Sequence, residues 1–155
     1  MKLKIVMLSA LMLIIPTLAS AEISVEEAWV RLPPPVADTA AGYMVIRNSG
    51  DQDVEIQGVK TDAAKQPEFH SMSDHDGMMH MMKMEKVIVP AHGEIRFAAG
   101  GNHLMLIGLT SELKTGDHVM MTIETVDGEN IMVHAEVRDM REGMDNSGHG
   151  EHHGH

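Results

Sequence analysis

HVMMTIETVDGENIMVHAEV, residues His118 to Val137, sets two β-prone runs on either side of Asp127-Gly128. Asp-Gly accepts the positive φ angles that tight hairpin turns require, so it is the strongest short hairpin signal in the chain. We therefore predict strands over His118–Thr125 and Asn130–Val137. Working back, Lys114-Thr115-Gly116-Asp117 is a turn, and His103–Leu109 is an almost continuous apolar run, as expected for a strand buried on both faces. Gly100-Gly101 punctuates, and shorter strands are expected over Glu94–Ala98 and Lys86–Val89, separated by the turn Pro90-Ala91-His92-Gly93. Nearer the N-terminus, a strand should end about Arg31, because Pro33-Pro34-Pro35 cannot join a central strand. Ala40–Arg47 and Val54–Val59 then flank the turn cluster Asn48-Ser49-Gly50-Asp51. Short strands at this spacing, with few helical windows and no internal repeat, point to one all-β sandwich or barrel. Trp29 and Tyr43, the single tryptophan and tyrosine, are read as packing residues.

The first 21 residues have a different character. Lys2 and Lys4 lead an apolar stretch from Ile5 to Leu18, which ends in Ala19-Ser20-Ala21. This pattern predicts a signal peptide cleaved after Ala21, with export to the periplasm and no stable membrane anchor; the stretch is short for a membrane span, and Pro16 breaks it. The domain division is thus 1–21 leader, 22–138 folded domain and 139–155 tail. Zero cysteines in an exported chain mean no disulfide, no thiolate ligand and no thiol nucleophile, which excludes blue-copper and cysteine-zinc sites. With 12 basic and 23 acidic residues, net −11, the chain is a poor partner for nucleic acid.

One further stretch carries the chemistry. FHSMSDHDGMMHMMKM, Phe69 to Met84, holds six of the 16 methionines, together with His70, His75 and His80. Met44, Met120, Met121 and Met132 sit within strand patterns and read as core or sheet residues. The methionines of Met72–Met84 instead lie among Ser73, Asp74, Asp76, Gly77 and Lys83, a polar loop where packing gives little reason for thioethers. Downstream, His103 and Met105 are two apart on a predicted strand and so project from one face. We take His70, Met81, His103 and Met105 as the primary ligands, assembled by a loop and a strand pairing. Thioether sulfur is neutral and polarizable, which suits Cu(I) and offers little to Zn(II), Ca(II) or Mg(II). Two imidazoles and two thioethers supply no negative charge, which favours Cu(I) over Cu(II). Met72, His75, Met78, Met79, His80, Met82 and Met84 are accessory donors that a partner's ligands could displace in turn. The tail carries His149, His152, His153 and His155 and is expected to be disordered, an accessory arm for Cu(II).

The spacing His70, ten residues, Met81, 21 residues, His103, one residue, Met105 resembles the signature of the periplasmic copper chaperones of the PCu(A)C family. The surroundings are similar too: AWVR at Ala28–Arg31, AAGYMVIRNSG at Ala40–Gly50, IVPAHG at Ile88–Gly93, and HLMLIGL followed by LKTGD. The likeness covers about Ile23 to Val137. It implies a cupredoxin-like Greek-key β-sandwich or barrel that binds one Cu(I) through the four matched residues. It also implies delivery to the dinuclear copper centre of cytochrome c oxidase, directly to the copper-bearing subunit or with a Sco-type partner. Met79-His80-Met81 stands at the family's Met-x-Met pair, while Met82-Lys83-Met84 offers a second such pair, so the choice of Met81 rests on spacing.

A periplasmic copper buffer or resistance protein would use the same residues but hold several ions, without a downstream acceptor. An enzyme is not expected: there is no serine or cysteine nucleophile motif and no HExxH.

Overall fold

The computed structural model describes residues 23–140. The predicted leader, 1–21, and the tail histidines His149, His152, His153 and His155 lie outside the described residues. Ten strands and no helix make up the described chain: β1 (Ile23–Arg31), β2 (Thr39–Asn48), β3 (Val54–Thr61), β4 (Ala64–His75), β5 (Met78–Lys83), β6 (Val87–Val89), β7 (Glu94–Phe97), β8 (His103–Leu109), β9 (His118–Thr125) and β10 (Asn130–Arg138). The all-β, cupredoxin-like architecture expected from the sequence is the one found.

The hydrogen-bonded path runs β5-β4-β8-β2-β1-β10-β9-β3-β6, with β7 pairing to β2. Partners distant in sequence, such as β2 with β8 and β3 with β9, give the path its Greek-key character. Two features let the sheet curl onto itself. On one edge of β2, Thr39–Gly42 pairs with β8 and Met44–Arg47 pairs with β7, so two strands leave one edge in succession. In β1, the register shifts between Glu26 and Trp29, with Glu27 at φ 53°. That bulge turns Trp29–Arg31 toward β10, which it joins in parallel while still pairing with β2.

The enclosed space is filled from both walls by Met44, Ile46, Val89, Leu104, Leu106 and Ile123, all nearly or wholly buried. Phe69 of β4 meets Phe97 of β7 across it, ring centroids 4.9 Å apart. Trp29 and Tyr43 are cross-strand neighbours with centroids 4.6 Å apart, in keeping with a packing role. Asn48, buried at the end of β2, donates from Nδ2 to the carbonyls of Gln52 and Val89 and accepts from Gly50 N–H. The polar turn after β2 is thereby tied to β6. Met44 and Met121 are core residues, whereas Met120 and Met132 are strand residues on the solvent side.

Two expectations need correction. The Met- and His-rich stretch is not a loop: β4 and β5 pair from His70↔Lys83 to His75↔Met78 as a hairpin closed by Asp76-Gly77. Both turn residues have positive φ, 56° and 76°, and Gly77 N–H is taken by the Asp74 carboxylate at 2.9 Å. Asp-Gly thus performs here the role recognised at residues 127–128. The second correction concerns β8, which is not buried on both faces. Leu104 and Leu106 are wholly enclosed while His103, Met105 and Ile107 are half-buried, because the outer face of the sheet carries no second layer over them.

Candidate metal centre

Register decides which donors share a face. β4 is sandwiched between β5 and β8, with Met72↔Met81 and His70↔Lys83 on one side and His70↔His103 and Glu68↔Met105 on the other. Side chains alternate along a strand, so Glu68, His70 and Met72 of β4, Met79, Met81 and Lys83 of β5, and His103 and Met105 of β8 project from the same outer face. The four sequence-selected ligands are therefore on one surface. Phe69 and Leu104, the alternate residues, anchor that surface to the core from below.

Within this surface the His70 and His103 rings stand 5.8 Å apart, centroid to centroid. His103 Nε2 lies 3.3 Å from Met81 Sδ. Met105 sits next to both Glu68 and the small Ala41 in the ladder, where it also forms a wall of a surface pocket of about 370 Å³ shared with Leu32, Pro33 and Met140. Met81, half exposed, is the most accessible of the four, and His70, 9% exposed, is the most enclosed.

The hydrogen bonds fix which ring nitrogens are available. A carboxylate only accepts, so at 2.9 Å His70 donates Nε2–H to Glu68 Oε2. In the neutral ring this leaves a bare lone pair on Nδ1, a buried atom without any hydrogen-bond partner. His103 donates Nδ1–H to the Gly101 carbonyl at 3.0 Å, leaving Nε2 bare where it faces Met81 Sδ. Each imidazole is thus held in one tautomer by a partner on one nitrogen while the other nitrogen stays bare, the usual arrangement for a histidine that ligates a metal. A buried, unpartnered nitrogen is costly to keep unless something binds it.

Glu68 is the residue that sequence reasoning missed. Its carboxylate also accepts from Gln66 at 2.6 Å and pairs with Lys83 Nζ at 3.0 Å. Hydrogen bonds from His70 first, then Gln66 and Lys83, lower its pKa to about 2. The same contact raises the pKa of Lys83. The signal was available: Glu68 is two residues before His70, which places it on the same face once the segment is read as a strand.

The accessory donors divide by the same alternation. Met72 and Met79 share the face of His70 and Met81, whereas His75, Met78, His80 and Met82 point from the reverse, and Met84 packs half-buried against the core. Among the described residues, no three of His, Cys, Asp and Glu come together as a metal-binding group. The donors that do share this face with His70 and His103 include the thioethers of Met72, Met79, Met81 and Met105, which favour a soft ion.

Comparison with known proteins follows the same line. The LpqE-like family model matches residues 23–137. A protein of Leifsonia xyli subsp. xyli named as a candidate lipoprotein is 26% identical over 118 residues, covering 76% of this chain and 70% of its own. The solution structure of Cu(I)-DR1885 from Deinococcus radiodurans has a TM-score of 0.66 at 31% identity, over 82% of this chain and 85% of that one. The copper-bound PCuAC domain from PmoF2 has the same fold, with a TM-score of 0.66 at 23% identity over 78% of this chain and 96% of that domain.

Proposed function

The chain belongs to the LpqE-like family, with PCuAC domains among its structural neighbours, and from that premise we propose that it is an exported copper chaperone that carries Cu(I) on His70, Met81, His103 and Met105. The observation that carries this reading is the buried, unpartnered Nδ1 of His70, in a ring whose centroid lies 5.8 Å from that of His103, whose own bare Nε2 faces the Met81 sulfur. Cu(I) accepts two imidazoles and two thioethers without needing an anionic ligand, and the ion is cargo: the protein binds it and lets it go. Half exposure of Met81 supports release, because an incoming donor can replace that ligand while the histidines stay oriented by Glu68 and Gly101.

In this reading the protein works in the periplasm and is not an enzyme. Its acceptor is the dinuclear copper centre of cytochrome c oxidase, reached directly or through a Sco-type protein. A second reading, a copper buffer holding several ions, is favoured by one observation: β5 and the end of β4 present more His and Met donors than one ion can use.

Anaerobic Cu(I) titration against a competing chelator tests the assignment. We expect one tight equivalent in the full chain, lost when His70, Met81, His103 and Met105 are all changed to Ala. Uptake that persists in that variant at the same affinity rejects the four-residue site, and several equivalents of equal strength favour the buffer. Transfer is read by mixing the Cu(I)-loaded protein with the apo copper-bearing domain of the oxidase, where a chaperone loses its ion and a buffer retains it.

A further inference from the structure

The reverse of the β4–β5 hairpin carries a donor set of its own. Nearer the barrel this side is sealed by Phe69 and Leu104, but beyond Ser73 the hairpin projects past the core and its side chains are exposed. On the reverse, β5 contributes Met78, His80 and Met82 and β4 contributes Ser73 and His75, with His75↔Met78, Ser73↔His80 and Ser71↔Met82 as ladder partners. The His75 and His80 rings are 6.2 Å apart, centroid to centroid, with an interplanar angle of 59°. Two imidazoles that share one ion through nitrogens at about 2 Å each stand roughly 5–6 Å apart in the same measure, so a small closure of the two rings brings both onto one ion.

A packing role does not account for these side chains. His75 and His80 are exposed, and Met78 and Met82 are 62% and 58% exposed, so they cover no apolar surface worth the name. A second observation lies on the same side. Of the buried side-chain nitrogen and oxygen atoms among the described residues, two have no hydrogen-bond partner: His70 Nδ1 on the outer face and Ser73 Oγ on the reverse. Ser73 is the ladder partner of His80, and its hydroxyl is available to accept an imidazole N–H while the other ring nitrogen binds an ion.

We propose that His75 and His80, with Met78 and Met82, form a second Cu(I) site on the reverse of the hairpin, separate from the face that holds His70 and His103. The donor chemistry repeats that of the first site, but no carboxylate or carbonyl fixes the ring orientations and both imidazoles are open to water. The second site therefore binds more weakly and exchanges faster. One strand, β5, separates the two faces, and its residues alternate between them, so an ion caught on the reverse has thioethers available at every step around the sheet edge. The proposal stands apart from the reading of the outer face, and its test separates the two.

The test is an anaerobic titration of the full chain, labelled at the methionine methyl groups, with Cu(I) as the probe and NMR as the readout. The first equivalent is expected to shift the Met81 and Met105 methyls, and the second those of Met78 and Met82 together with the His75 and His80 ring signals. In His75→Ala/His80→Ala the second set should need at least about tenfold more free Cu(I) while the first is unmoved; in His70→Ala/His103→Ala the second set should respond as before. His75 and His80 are exposed, so His75→Ala/His80→Ala keeps the fold; His70 is buried, so a backbone spectrum checks His70→Ala/His103→Ala, and His103→Ala alone, at a half-buried position, makes the same comparison if the double variant is disturbed. Met78 and Met82 methyls that stay in place at two equivalents overturn the site. So does an unchanged response in His75→Ala/His80→Ala, or a response that disappears in His70→Ala/His103→Ala. Zn(II) producing the same shifts at the same concentration overturns the assignment to a soft ion.

Discussion

Glu68 does for His70 what the Gly101 carbonyl does for His103: it holds the ring proton on one nitrogen and leaves the other bare. Substituting Glu68→Gln keeps the size and removes the charge, so the fold should survive while the His70 ring loses its orientation. We expect Cu(I) affinity to fall by about 10- to 100-fold, read by chelator competition, with an unchanged backbone spectrum. Unaltered affinity would mean that His70 does not bind through Nδ1. The four proposed ligands could be read as residue types at a spacing. Glu68 was not, because a carboxylate in a segment read as a loop has no direction, and the same carboxylate on β4 necessarily faces His70's way. The half-exposed outer face of β8 escaped for the complementary reason. An apolar run such as His103–Leu109 shows how greasy both faces are but not whether another layer covers them.

At the level of elements, the chain's hairpins show what pattern can and cannot reveal. β9 and β10 were legible because Asp127-Gly128 parts two β-prone runs, and the structure buries Val119, Met121 and Ile123 while their alternates His118, Met120 and Thr122 stay more open. β4–β5 has the same Asp-Gly turn, yet every β5 residue is exposed, so there is no in–out alternation to read. The turn alone sets that hairpin. Gly77 at φ 76° has open space around it, so a side chain there would cost backbone strain only, about 1–2 kcal/mol for the left-handed conformation. Gly77→Val should therefore lower amide-exchange protection across Met78–Lys83 and weaken Cu(I) binding, while the urea midpoint of the barrel hardly moves. Asn48 is the opposite case, a polar residue whose loss reaches the barrel. Asn48→Ala strands the Val89 and Gln52 carbonyls and Gly50 N–H, and should reduce stability by about 2 kcal/mol or more with an unchanged urea slope.

Over the whole molecule, stability and chemistry are held in different places. The core is built from β1–β4 and β6–β10, whereas β5 contributes no buried side chain. Leu104→Ala should accordingly cost about 2–5 kcal/mol in urea unfolding, since Leu104 is wholly enclosed beneath the His70–His103 face. A chain in which Ser71–Met82 is replaced by a short turn should unfold near the midpoint of the parent and yet bind no Cu(I) tightly. A large loss of stability in that shortened chain would show that the hairpin supports the barrel after all. The same partition governs how the molecule ages in an oxidising setting. Met44 and Met121 are sealed in the core, while Met78, Met79, Met81 and Met82 stand half open on one strand. Peroxide would reach the open thioethers first and convert soft sulfur donors into sulfoxides that Cu(I) does not favour. Damage of that kind would leave a folded protein that no longer takes up its metal, and a methionine sulfoxide reductase could restore it without any need to refold.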